Sequence, residues 1–147
     1  MAQRGFKIRA LGEIAIRVRD MDAMVAFYRD TLGLELLARH DEDPIVFFRI
    51  SEGYGGHTAV LALFRDEQGT NAAPGWADRE KSLSSLHHIA FTVSRAEQDA
   101  VIDWYEANAV PYRIETFPWI GWRGIFTTDP EGNMIELVAY DETVLEI

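Results

Sequence analysis

At 147 residues, 48% of them hydrophobic, the chain can bury a core as one domain or two very small fused modules and is too apolar to be disordered. Fourteen basic residues against 24 acidic ones give a net charge of −10, which argues against general binding of nucleic acid or an anionic membrane and suits a cationic ligand or plain solubility. The absence of cysteine excludes disulfides, thiolate metal sites and a Cys nucleophile; with no apolar signal core near residue 1 and no apolar run approaching ~20 residues, the expectation is a cytoplasmic protein without a membrane span.

Residues 11–19 (LGEIAIRVR) alternate, with Ile14, Ile16 and Val18 on one face and Glu13, Ala15 and Arg17 on the other, predicting a strand with one buried face. Asp20 is a helix N-cap, and Met21, Met24, Val25, Tyr28 and Leu32 recur at helical spacing up to Gly33, a good terminator. Residues 34–39, 45–50 and 58–64 read as strands, the last two joined through the Gly-rich turn at 53–56. The polar stretch that follows, with Gly69, Pro74 and Gly75, is a connector. The pattern then returns with a strand at 86–93 (LHHIAFTV) and a helix opened by a Ser94/Glu97 capping box. Val101, Trp104, Tyr105 and Asn108 share one face of that helix, with Trp104 and Tyr105 assigned to the core and Asn108 to the C-terminal cap. Strands at 112–117, 123–128 and 134–140 complete the half, the last two joined by the turn sequence Asp129-Pro130-Glu131-Gly132.

Both halves therefore read βαβββ. Shifted by 75 positions, Glu13-Ile14-Ala15-Ile16 falls on His88-Ile89-Ala90-Phe91 and Gly33 on Asn108, the mark of an internal duplication. The expected fold is α+β, a single domain over 1–147: module one at about 10–65, a linker at about 66–82 and module two at about 83–140, their curled mixed sheets enclosing a cavity.

Three stretches carry a family resemblance: residues 14–36, with Phe27-Tyr28-Arg29-Asp30 and Leu32-Gly33; HHIAFTV at 87–93; and DPEGNMIELV at 129–138. In this order they resemble the vicinal-oxygen-chelate superfamily of glyoxalases, methylmalonyl-CoA epimerases, extradiol dioxygenases, fosfomycin-resistance transferases and bleomycin-resistance proteins. The resemblance implies four metal-ligand positions, on the first and last strands of each module, which here are Glu13, Ala62, His88 and Glu136. Ala62 cannot ligate. The implied set is thus Glu13, His88 and Glu136 around a divalent ion (Fe, Mn, Ni or Zn), with Glu136 or Glu13 also able to act as catalytic base.

Strand parity supports the same three residues, because each is out of phase with its apolar neighbours and so leaves the helix-packed face. A carboxylate among apolar residues wants a cation, and one imidazole with two carboxylates suits a hard or borderline divalent ion. The plainer reading pairs Glu13 or Glu136 with Arg17 or Arg123 and makes His88 a hydrogen-bonded cavity histidine. His87, adjacent to His88, is expected on the opposite face; His57 and His40 are expected at the surface. Phe48, Phe64, Trp119, Trp122, Arg17, Arg123 and Met134 are expected to line the substrate pocket.

Two functions fit these features. One is a metal-dependent lyase, isomerase or dioxygenase acting on a small oxygen-chelating substrate. The other is a metal-free sequestration protein of the bleomycin-resistance type, binding an aromatic or cationic drug between Trp119, Trp122 and acidic walls. Open sheet edges predict a homodimer. The only cations placed near the cavity, Arg17 and Arg123, each have an acidic neighbour, so a partly aromatic ligand is expected over a phosphorylated one.

Overall fold

The alternation at the start of the chain becomes β1 (Glu13–Val18), in which Ile16 and Val18 are buried and Glu13, Ala15 and Arg17 exposed. The computed structural model describes residues 4–39, 45–65 and 86–146, so His40 and the linker expected at 66–82 lie outside the described residues. The chain divides into two units, Met1–Ala77 and Asp78–Ile147.

In the first unit β1 is followed by α1 (Met21–Ala26), β2 (Glu35–Arg39), β3 (Ile45–Ser51) and β4 (Ala59–Arg65). They form an open, curled, mixed sheet in the order β1-β4-β3-β2, with β1 parallel to β4 and the other pairs antiparallel. Asp20 caps α1, its side chain accepting from the Ala23 N–H at 3.0 Å. The helix does not run regularly to Leu32, as its spacing suggests: α1 ends at Ala26 and widens into a π-helical turn at Phe27–Thr31, where the Leu32 N–H reaches the Phe27 carbonyl at 3.0 Å. That turn buries both Phe27 and Tyr28, and Gly33 then leaves the helix at φ 78°. Tyr28 meets Phe48 of β3 with ring centroids 6.1 Å apart, in a layer with Met24, Val25, Leu61 and Leu63.

The second unit repeats the topology with β5 (Ile89–Thr92), α2 (Arg95–Ala107), β6 (Arg113–Phe117), β7 (Trp122–Thr128) and β8 (Met134–Tyr140), in the sheet order β5-β8-β7-β6. The Ser94/Glu97 capping box forms in both directions, at 3.1 Å each. Asn108 closes the helix with its side-chain amide on the Trp104 carbonyl. The buried face of α2 centres on Gln98 and Tyr105, seven residues apart. Trp104, one step of ~100° away, is 49% exposed and does not belong to the core assigned to it. Gln98 is a polar peg: its amide donates to the carbonyls of Arg123 and Leu137, and its oxygen accepts from the Arg123 guanidinium at 2.8 Å. Removing the cap by Ser94→Ala is expected to cost about 1 kcal/mol, read as a lower midpoint in denaturant. An unchanged midpoint would mean the box does not hold the helix end.

Among the described residues, no helix is long and apolar enough to cross a membrane.

Candidate functional site

The second sheet sorts its residues onto two faces. Arg123 bonds Gln98, so the face of Arg123, Ile125, Ile135, Leu137 and Ala139 is the one under α2. By the period of two, Met134, Glu136 and Val138 of β8 point away from α2. Register then sets one row across that far face: Ala90 pairs with Glu136, Glu136 with Phe126, and Phe126 with Arg113. The start of β8 is fixed by the preceding turn, where buried Asp129 accepts from the Glu131 and Asn133 N–H groups and the Asn133 side chain, and Gly132 takes φ 86°.

Glu136 is 5% exposed. Its Oε2 lies 3.2 Å from His88 Nε2, and its Oε1 is buried with no hydrogen-bond partner among the described residues. Burial pushes the carboxyl above its ordinary range; His88 opposes the shift and Glu115 adds to it. Gly124 on β7 makes room for the carboxylate, since a Cβ there would strike Glu136 Oε1 and come within 2.8 Å of the Phe126 ring.

His88, its side chain 34% exposed, stands one residue before β5 with its ring 6.3 Å from that of Phe126. The neighbouring His87 does not face the other way, as strand alternation suggested. Its Nδ1 lies 2.8 Å from the Nδ1 of His88, with the rings edge to face at 5.0 Å. The strand begins only at Ile89, so alternation does not govern the pair.

The other expected residues fall as follows. Glu13 stands exposed at the start of β1, on the same face as Arg17; across β4 the residues opposite Ala15 and Arg17 are Ala62 and Phe64. Phe48 is fully buried in the helix layer against Tyr28, and it is Phe47, paired with Ala62, that shares the Glu13 face. The Arg123 guanidinium is likewise on the α2 side, away from Glu136. Trp119 is 75% exposed in the loop before β7. Trp122 pairs with Phe117 and Tyr140 at the end of the Glu136 face. Met134 is on that face and borders a depression of about 230 Å³ with Pro111, Tyr112, Arg113, Phe126 and Thr128. Among the described residues, no group of three or more His, Asp or Glu side chains is gathered to hold a metal ion; His88 and Glu136 are the expected ligands that meet.

Arg113 was not singled out in the sequence, although it alternates with Ile114 along residues 113–117 and so shares a face with Glu115 and Phe117. Its guanidinium carbon sits 5.2 Å from the Phe126 ring centroid, and its Nε 3.1 Å from Glu115 Oε1.

This duplicated βαβββ layout has counterparts. Residues 10–137 match the family model of the Glyoxalase/Bleomycin resistance protein/Dioxygenase superfamily. The chain belongs to that superfamily. A lactoylglutathione lyase from Agrobacterium tumefaciens is similar at 27% identity and a TM-score of 0.68, over 88% of this chain and 92% of that one. A glyoxalase/dioxygenase from Nostoc punctiforme (24% identity, TM-score 0.64, 97% and 98% coverage) shares the fold. So does a fosfomycin resistance protein from Listeria monocytogenes (19%, 0.61, 94% and 98%). No functionally curated protein matches the sequence. Superfamily members of this kind share the sheet layout and differ in chemistry, so the reaction must be argued from the side chains at His88 and Glu136.

Proposed function

We propose that the protein is a divalent-metal-dependent enzyme of the glyoxalase/dioxygenase type, acting on a small substrate that presents two neighbouring oxygens. One observation carries the proposal: Glu136 is buried beside His88 with one carboxylate oxygen that has no hydrogen-bond partner among the described residues. A buried carboxylate left so is costly, and a cation satisfies it while a nearby imidazole supplies a second donor of the right kind. His88 and Glu136 would hold the ion. The ion, when bound, supplies Lewis acidity that polarises the substrate's oxygens.

The remaining work falls to the chain. Glu136, its carboxyl raised by burial, is poised as a base that takes a proton from the substrate at a carboxylate oxygen. Phe126, Met134 and Val138 lie on the same face and make it apolar. The alternative, metal-free sequestration of a drug, draws support from Ala62, a buried methyl at the fourth ligand position.

Elemental analysis of stripped and reconstituted protein tests the choice. About one equivalent of Fe, Mn, Ni or Zn per chain is expected, and failure of every one of these ions to bind would leave the sequestration reading. A cytoplasmic homodimer belongs to the same reading, because β1 and β2 in one sheet and β5 and β6 in the other leave open edges. Light scattering should then give about twice 16.7 kDa, and a monomer at micromolar concentration would remove the dimer from the proposal.

A further inference from the structure

We propose that the depression bordered by Arg113, Phe126 and Met134 is a subsite for a carboxylate carried by the substrate, and that Arg113 recognises it. This deepens the proposed function and rests on the Glu136 face being the one the substrate occupies.

The guanidinium, on a side chain 57% exposed, has three neighbours. It lies over Phe126, whose ring fixes its height above the sheet. Glu115 engages Nε, one arm of the fork. Its Nη2 meets the Met134 thioether at 3.8 Å, a weak acceptor. Among the described residues, neither terminal nitrogen hydrogen-bonds an oxygen, and two terminal nitrogens can grip a carboxylate bidentately.

The size and walls define the guest. About 230 Å³ is below the ~300–1,000 Å³ of drug-sized sites, so it takes a fragment of a few heavy atoms. Pro111, Phe126 and Met134 make it apolar beside the charge, which fits an aryl or short alkyl carboxylate. The charge balance selects a monoanion. Glu115 already pairs with Arg113, and Glu136 lies on the same face beyond Phe126; a guanidinium so neutralised is a poor host for a phosphate dianion.

The test compares benzoate with benzamide, its neutral isostere, by tryptophan fluorescence on the full-length protein with a chelator present. Benzoate is expected to bind about tenfold tighter than benzamide. Arg113→Gln should lower benzoate affinity to the benzamide level and leave benzamide unchanged. Glu115→Gln, which frees the occupied Nε, should tighten benzoate severalfold, a gain that misfolding cannot produce. Equal binding of the two probes, no measurable benzoate binding, an Arg113→Gln protein that holds benzoate like the parent, or a Glu115→Gln protein that binds it no better would each overturn the proposal. The chelator keeps the outcomes apart, since a protein that takes up no metal loses the enzyme reading and can still discriminate benzoate through Arg113.

Discussion

His88→Ala protein is expected to lose stoichiometric metal binding, with affinity falling by at least about 100-fold, because a ligand should matter no less than the outer partners that orient ligands. Glu136→Gln should also lose stoichiometric metal binding, and in the metal-free protein it should raise stability. The Glu136 carboxyl is raised above its ordinary range mainly by burial. Below the ordinary carboxyl range, folded and unfolded chains both carry it protonated and burial costs nothing through this group. As pH rises past that range, the unfolded chain releases the proton more readily than the folded one, so the folded state loses stability. Glutamine removes this loss. In the presence of a chelator, Glu136→Gln should therefore melt higher than the parent at neutral pH, by about 1 kcal/mol or roughly 3–4 °C, with the difference vanishing in acid. Calorimetry across pH, with metal content measured in parallel, checks both halves. A mutant that keeps its metal would remove Glu136 from the ligand set. One that melts lower than the parent at neutral pH would mean the carboxyl is stabilised in the fold by contacts stronger than its burial.

What the sequence made legible was local. Asp20 and the Ser94/Glu97 pair announce helix starts because a cap is satisfied within three residues. Glu13 and Glu136 announce their faces because strand alternation needs no partner to be read. What stayed hidden depended on an element's ends or on neighbours distant in the chain. His87 could not be placed without knowing that β5 starts at Ile89. Phe47 and Phe48 are adjacent and equally apolar, and only the pairing of β3 with β4 decides which joins the helix layer. Trp104 and Tyr105 are likewise adjacent on α2, and what selects Tyr105 is the buried Gln98 peg, a polar residue that hydrophobic periodicity passes over. Arg113 escaped because charged residues on a short exposed strand read as solvated, although its alternation with Ile114 was visible. The His88–Glu136 encounter joins residues 48 positions apart, and the parallel pairing of β5 with β8 brings it about.

Gly124→Ala is expected to be the most damaging small change on the Glu136 face. The backbone at this glycine is not in the left-handed region, so the cost is one of space. A Cβ would strike Glu136 Oε1, sit 3.0 Å from its carboxyl carbon and 2.8 Å from the Phe126 ring. The carboxylate is buried and the ring lies between the Arg113 guanidinium and His88, so neither can withdraw without breaking a contact described above. Overpacking of this kind costs about 2 kcal/mol, a fall of roughly 5–8 °C in Tm, and displacement of the carboxylate should weaken metal binding along with it. The cause can be isolated by a double-mutant cycle. In a Glu136→Ala background the carboxylate is gone, and the added methyl should cost less than half as much as in the parent, leaving only the Phe126 term. Equal costs in the two backgrounds would show that Gly124 is required for packing against Phe126 alone. A smaller cost in the Glu136→Ala protein would tie the glycine to the seat of the carboxylate, and through it to the placement of Glu136 beside His88.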